Sequence, residues 1–483
     1  MTLRRVPPAA WLLIAGFVLC AAVNLPGHLS YDSVMQLNEG RRGFYANWHP
    51  PMMSWLLGVF DWLWPGTALF ALCDMALFFG SLGALLFLSS PARGAREAHD
   101  RGGDAKFTAS FIVLALVLLT PQVLLYQGIV WKDVLFANLS IAGFAALAVA
   151  GEKWERRRLR FGLLVAAFLL LSVATLVRQN GGVVLPAAAA ALAWIAWQKS
   201  SPRKIRATFL YGMSALAGAA VAVVAMHAAL ALRIPGDPSP AVAFRLLQFY
   251  DLIGALKAKP ALALPYFDDD DTDLEQLMRT DGVRLYTPER NDTLAQSARL
   301  QRAYFQSPDE TIPEEWERLV AVHTGLYLRV RAEVFRWIVL TPDLAACRPV
   351  FSGIDGPANV MAKLGLAKRF DARDAALDFY AKRFMGTPVF SHAFFLALAL
   401  IALVFLFARR TPSDIAVAFM LLSTLAFTLS FFVISIACDY RYLYFVDLAA
   451  MAAAFHLSLD WRSAWAALHD RSVAISPPAR SPW

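Results

Sequence analysis

Charge is what this sequence has least of. Of its 483 residues, 17% are Asp, Glu, Lys or Arg, where a soluble domain carries about 25%. That shortage, beside 58% hydrophobic residues, excludes an ordinary water-soluble globule. Cysteine is scarce as well. The four cysteines show no CxxC or Cys/His spacing, so neither a zinc centre nor a dithiol motif is supported. The chain also lacks an internal repeat, a strand-rich block and a nucleotide-sugar motif.

The apolar residues are gathered into runs long enough to cross a hydrocarbon core of about 30 Å as helices, and too long for barrel strands. They place about ten spans, at 9–26, 67–89, 107–121, 134–150, 161–177, 183–198, 207–232, 389–408, 414–437 and 441–458. The first, behind Arg4 and Arg5, is long and has no clean small-x-small exit, so it reads as an uncleaved helix. The formal charge of +8 does not point to nucleic acid, because the basic residues fall in short clusters between spans. Those clusters are Arg93, Arg96, Arg101 and Lys106; Lys153, Arg156, Arg157, Arg158 and Arg160; Lys199, Arg203, Lys204 and Arg206; and Arg409 with Arg410. With the N-terminus inside, every one lands in the cytoplasm. The stretch 52–64 is apolar, but 13 residues rise only about 20 Å. It is expected to lie on the surface as a helix, with Trp48, Trp55, Trp62 and Trp64 at the interface.

The expected fold is thus an all-α polytopic membrane protein with three parts. Residues 1–232 form an N-terminal membrane domain with an outer loop at 27–66. Residues 233–388 form a mostly helical outer domain, with helical pieces at Ala241–Lys257 and Glu314–Val339. Residues 389–483 hold the last three spans and a cytoplasmic tail.

The outer loops concentrate the chemistry. They hold Gly27-His28-Leu29-Ser30-Tyr31-Asp32-Ser33 with Gln36, Asn47-Trp48-His49-Pro50-Pro51, Trp131-Lys132-Asp133, Arg178-Gln179-Asn180-Gly181-Gly182 and Asp439-Tyr440-Arg441-Tyr442. Ionisable groups at headgroup depth are costly unless paired or facing a watery cavity, so they are functional candidates. Each has a structural rival. Asp32 can cap a helix, Lys132 and Asp133 can close a loop as an ion pair, Arg178 with Asn180 can finish a hairpin, and Arg441 can anchor at the interface beside its tyrosines. Asp74 and Asp447, inside spans, divide evenly between buried hydrogen bonding and the substrate cavity. The acidic run Asp268–Asp271 with Asp273 has no calcium-loop register and reads as a solvated loop. Cys347 and Cys438 share the oxidising side, and only their distance can decide whether they pair.

Asp32 after the first span, with His49-Pro50-Pro51 opening a surface helix, resembles the first outer loop of GT-C glycosyltransferases, the superfamily of protein O-mannosyltransferases and lipid A aminoarabinose transferases. The ordered set Tyr31-Asp32-Ser33…Gln36, Asn47-Trp48-His49-Pro50, Trp131-Lys132-Asp133, Arg178-Gln179-Asn180-Gly181 and Tyr440-Arg441-Tyr442, with Tyr327…Arg331 and Cys347…Gly353, is similar to a largely uncharacterised bacterial branch. The resemblance implies a GT-C-like architecture in a bacterial inner membrane, with the active site facing the periplasm. It implies transfer of a sugar from a polyprenyl-phosphate donor to an envelope acceptor, which is a lipid, glycan or protein. Asp32 is the expected base, because a carboxylate in a low-dielectric setting can take a hydroxyl proton. Asp133 is a second carboxylate. Arg441, Arg178 and Lys132 are expected to hold the leaving phosphate, and His49, Asn180, Tyr442 and Gln36 to contact substrate. No cofactor is demanded. Many members carry paired acids where this loop has Asp32 alone, and a divalent metal stays open. Two other readings remain: an O-antigen ligase or polymerase-type enzyme using a lipid diphosphate-linked glycan, and a lipid or glycan transporter.

Overall fold

The structure, a computed structural model, describes residues 7–45, 50–88, 103–199, 205–232, 241–267 and 272–475. All ten apolar stretches form helices. In chain order, with the helices of the loops, these are α1 (Pro8–Asn24), α2 (Tyr31–Arg42), α3 (Pro51–Leu63), α4 (Ala68–Leu88), α5 (Gly103–Leu118), α6 (Lys132–Glu152), α7 (Arg157–Val177), α8 (Val184–Lys199), α9 (Ile205–Ala231), α10 (Ala241–Ala258), α11 (Ala298–Gln306), α12 (Thr311–Val322), α13 (Thr324–Leu340), α14 (Ala358–Leu364), α15 (Ala372–Lys382), α16 (His392–Arg409), α17 (Pro412–Ile434), α18 (Tyr444–Ser458) and α19 (Trp461–Ile475). Seven are long and apolar enough to cross a membrane. Two further helix pairs, each bent at a short break, pass the same test together, and α1, with 17 residues, is shorter. No strand forms among the described residues, only isolated bridges. The chain is an all-α, multi-pass membrane protein.

Caps explain the ends. Thr411 and Asp414 form a reciprocal capping box with Pro412 at the first helical position of α17, and the Ser391 side chain accepts from the Phe394 N–H to open α16. The third span departs from a straight helix. It turns by 62° between Thr108–Leu118 and Pro121–Gly128, because Pro121 cannot continue an incoming helix. Beyond α18 the chain continues as α19, which leaves it at 88°.

The first outer loop is a helical hairpin. The surface helix expected at 52–64 is α3, and α2 crosses it where two glycines meet. A Cβ on Gly40 would sit 2.7 Å from the Gly58 nitrogen and nearer still to the Ser54 carbonyl. Arg41 bonds Asp61 at 2.7 and 2.9 Å, and Ser54 bonds Glu39 at 2.7 Å. Trp55, Trp62 and Trp64 are exposed, as an interfacial helix requires. Trp48 lies outside the described residues.

The outer stretch holds two packing units. Residues 241–340 build their own core around Tyr250, Ile253, Met278, Ile312 and Val334, whereas Cys347, Ile354, Met361, Leu377 and Phe390 join the core of the membrane helices. The helix expected at Glu314–Val339 is broken at His323 into α12 and α13. Arg331 ties the two units together. Wholly buried, it bonds Asp251 at 2.9 Å and donates to the carbonyls of Phe432 (2.7 Å) and Ser435 (2.8 Å). It thereby satisfies carbonyls that the end of α17 leaves without partners. Cys347 and Cys438 form a disulfide.

Candidate active site

Three loops far apart in sequence are stitched together by backbone bonds. His28 N–H donates to the Gly128 carbonyl (2.8 Å), Leu29 N–H to the Gly353 carbonyl (2.9 Å), and Asp355 N–H to the Leu29 carbonyl (2.9 Å). His28 locks the junction. Its Nδ1 accepts from the Gly353 N–H at 3.0 Å, so Nε2 carries the proton and meets Asn24 Oδ1 at 2.9 Å. Burial holds this imidazole down to about 4, against the pull of the nearby Asp374 carboxylate. His28 is therefore neutral and structural.

Above this junction opens a cavity of about 700 Å³. One part of its wall carries Ser30, Tyr31, Asp32, Trp131, Asp439 and Arg441, and the other comes from residues of 345–357 and α15. Asp32 lies in the first turn of α2, where a helix N-terminus favours a negative charge. Arg441 lies in the 3-10 turn Tyr440–Leu443 that opens α18. They meet at 2.7 Å between Arg441 Nη2 and Asp32 Oδ2, although 409 residues separate them in sequence. The same guanidinium nitrogen lies 3.3 Å from Asp439 Oδ2, and its plane covers the Trp131 ring, 4.9 Å from the centroid. Trp131 is itself fixed by a 2.8 Å bond from its Nε1 to Ser30 Oγ.

A second layer of charge backs the first. Asp133, buried in the first turn of α6, pairs with Arg178 and stands 4.0 Å from Arg441 Nε. The Arg178 guanidinium sits among Phe427, Phe431 and Tyr442, 5.4–5.5 Å from each centroid. Tyr442 stacks on Phe431 and also flanks Arg441 at 5.9 Å. Lys132 lies within electrostatic reach of Asp32, Arg178 and Arg441.

Of the nine residues singled out in the sequence, six gather here: Asp32, Asp133, Arg441, Arg178, Lys132 and Tyr442. Asp32 and Arg441 line the cavity. Asn180 instead donates to Ser430 Oγ on α17 at 2.8 Å and holds the α7–α8 hairpin. Gln36 is buried in α2, and its Nε2 finds no partner among the described residues. His49 lies outside the described residues, as does the run Asp268–Asp271. Asp74 and Asp447 are buried hydrogen-bonding residues: Asp74 accepts from Asn138 at 2.8 Å, and Asp447 takes Tyr440 Oη at 2.7 Å and His392 Nδ1 at 2.9 Å.

Sequence reasoning did not single out Trp131, Asp439 or Arg348. The motifs containing them were visible, but nothing in one sequence tells which member of a motif faces a cavity. Among the described residues no group of three or more His, Cys, Asp or Glu side chains could hold a metal ion. Asp32 and Asp439 both pair with Arg441, and Asp439 also lies 3.6 Å from Arg290 Nη2.

No family model matches the sequence, and neither does any curated protein. Among solved structures, the chain is similar to the oligosaccharyltransferase AglB of Archaeoglobus fulgidus in complex with an inhibitory peptide and a dolichol-phosphate. The identity is 14% and the TM-score 0.39, over 98% of this chain and 52% of that one. It is also similar to ArnT of Cupriavidus metallidurans, with 15% identity and a TM-score of 0.33 over 94% of this chain and 77% of that one. The chain thus spans about half the length of the oligosaccharyltransferase it matches.

Proposed function

We propose that this chain is a membrane glycosyltransferase that moves a sugar from a polyprenyl-phosphate carrier to an envelope acceptor at the outer face of a bacterial inner membrane. The observation that carries the proposal is the Asp32–Arg441 pair on a cavity wall, 2.7 Å apart, with Arg178 and Lys132 close behind. The course of α6 supports this orientation. Its first turn holds Lys132 and Asp133 at the site and its other end meets Lys153, about 30 Å away at 1.5 Å per residue. The basic clusters then face the cytoplasm, and both termini with them.

The pair suggests how donor binding readies the base. Arg441 neutralises Asp32 across the 2.7 Å contact. A lipid phosphate entering sideways from the membrane competes for the guanidinium, which can grip its oxygens in bidentate fashion. Asp133 stays with Arg178 and keeps the second guanidinium in place. Released from its arginine, the Asp32 carboxylate becomes a better proton acceptor. It takes the acceptor hydroxyl's proton while that oxygen attacks the anomeric carbon, and the carbon–oxygen bond to phosphate breaks with inversion. The negative charge growing on the phosphate meets cations that are already positioned.

The test is transfer of radiolabel by the purified full chain in lipid, from a panel of undecaprenyl-phosphate sugars to cell-envelope acceptors, with Arg441→Met and Arg178→Met run alongside. The proposal expects transfer by the wild type and weaker donor binding in both variants. Consumption of lipid diphosphate-linked glycans, with no monophosphate donor used, would replace it by the ligase or polymerase reading. Movement of an intact lipid without bond cleavage would replace it by transport.

A further inference from the structure

Every carboxylate on the cavity wall is ion-paired, and one cation there has no such partner among the described residues. Asp32 and Asp439 reach Arg441 at 2.7 and 3.3 Å. Asp378 pairs with Lys382 at 2.6 Å, and Asp355 with Lys368 at 2.9 Å. Each carboxylate on the wall therefore has a cation. Arg348, on the wall formed by 345–357, has no ion pair or side-chain hydrogen bond among the described residues, and it is exposed and lines the cavity.

Its backbone is unusual too. Arg348 has φ +46°, one of three non-glycine residues with positive φ among those described. A residue with a Cβ is strained in that region, and such strain persists where surrounding structure imposes it, often at functional sites. Here the imposing structure is explicit. The neighbouring Cys347 is bonded to Cys438, and the Cys347 carbonyl accepts from the Tyr440 N–H at 2.8 Å. The segment bearing Arg348 is thereby clamped to the turn bearing Arg441, so two arginines from different parts of the chain line one cavity at a fixed relative position.

We infer that Arg348 is the contact for a second anionic group, a phosphate or comparable carboxylate, on the molecule that occupies that side of the cavity. The inference rests on the proposed glycosyltransfer only in taking Arg441 as the holder of the first anion. The second anion has two chemical sources: a charged acceptor, or a second phosphate on the donor.

Arg348→Gly separates this role from folding, because glycine adopts positive φ without penalty. Its thermal midpoint should equal or exceed that of the wild type, and Arg348→Lys should restore binding in part. The full chain in non-ionic detergent is titrated with farnesyl monophosphate, farnesyl diphosphate and inorganic phosphate, each alone, and with inorganic phosphate after saturation by the monophosphate. A charge-assisted hydrogen bond implies about a tenfold or greater loss in the glycine variant. If the monophosphate-loaded wild type binds phosphate and the variant binds it at least tenfold more weakly, the anion belongs to the acceptor. If the wild type prefers diphosphate over monophosphate and the variant loses that preference, the anion belongs to the donor. If the variant matches the wild type for every probe, or a wild type that does bind the monophosphate shows neither behaviour, the inference is overturned. Failure of the wild type to bind farnesyl monophosphate would count against the proposed donor instead, and phosphate binding to the unloaded protein would still report on Arg348.

Discussion

Replacing Asp32 by Asn should separate chemistry from donor binding. The Asp32 and Arg441 side chains are 26% and 15% exposed, so their attraction is neither that of a free surface pair nor that of a dry one. At about 4 Å between charges and an effective dielectric of about 20, the Coulomb energy is about 4 kcal/mol. Desolvation and competing water leave a net value nearer 1 kcal/mol for a pair that is partly open to solvent. Asparagine keeps the shape and a carbonyl oxygen for Arg441 but removes the charge that the donor phosphate must displace. Binding of farnesyl monophosphate, measured by calorimetry, should therefore stay the same or tighten by up to about tenfold, which is about 1.4 kcal/mol. Loss of a positioned base lowers a rate by about 10²–10⁴, or about 3–5 kcal/mol on the barrier. Single-turnover transfer of labelled sugar in proteoliposomes should fall by that factor while donor affinity does not. Transfer within about threefold of wild type would remove Asp32 as the base. A donor affinity at least tenfold weaker would show that Asp32 helps bind the phosphate, and the exchange of Arg441 between carboxylate and phosphate would be wrong.

Three further perturbations test the scaffold. His28 has a folded-state value of about 4 against about 6.5 unfolded, so the unfolded chain binds the extra proton first. Its contribution is intact above about pH 6.5 and is lost as pH falls towards 4, by about 3 kcal/mol in all; thermal unfolding of wild type and His28→Gln across pH 4–8 should give a shallower pH dependence in the variant. Arg331→Met strands the buried Asp251 and the carbonyls of Phe432 and Ser435, at a cost of about 3–5 kcal/mol. Limited proteolysis should then release the 241–340 unit, and adding Asp251→Asn should recover part of the loss. Gly40→Ala forces α2 away from α3; because α2 carries Asp32, transfer should drop at least tenfold while farnesyl monophosphate still binds through Arg441, and equal losses of both would place the damage in the fold.

The membrane architecture was legible because it depends on quantities that a single sequence contains. Apolar run length decides which helices are able to cross. The short runs near Pro121 and Trp461 show the limit of that reading, since a bend set by proline or by a change of helix direction does not alter hydropathy. The first loop shows another limit. Residues 52–64 were recognisable as too short to span, but α2 is polar, and its helix is secured by contact with α3 across Gly40 and Gly58 rather than by its own pattern. The outer stretch divides at a similar point: 241–340 and 341–390 look alike in composition, and only packing assigns the second to the membrane core.

The site was legible as a set of loops, and much less so as a set of roles. Asp32, Asp133, Arg178 and Arg441 stood out because charge at headgroup depth needs a reason, and the structure supplies the same reason for all four: they neutralise one another. Which of them faces the cavity depends on contacts across hundreds of residues. Asn180 and Gln36 were chosen on the same ground and went elsewhere, because an amide is satisfied by any neighbouring hydroxyl or carbonyl, whereas a guanidinium among apolar rings needs a carboxylate. Asp447 follows the same logic. It sits six residues beyond Arg441, and the structure spends its two oxygens on Tyr440 and His392, which fixes the residue next to Arg441 from below. The turn Tyr440–Leu443 is thus held by the disulfide at Cys438, by the Cys347 carbonyl and by the Asp447 triad, while Asp32 is held by a helix resting on a surface hairpin. Of the two partners in the central pair, the arginine is the more firmly placed. A phosphate arriving from the membrane would therefore meet a fixed cation, and the carboxylate is the group with room to yield.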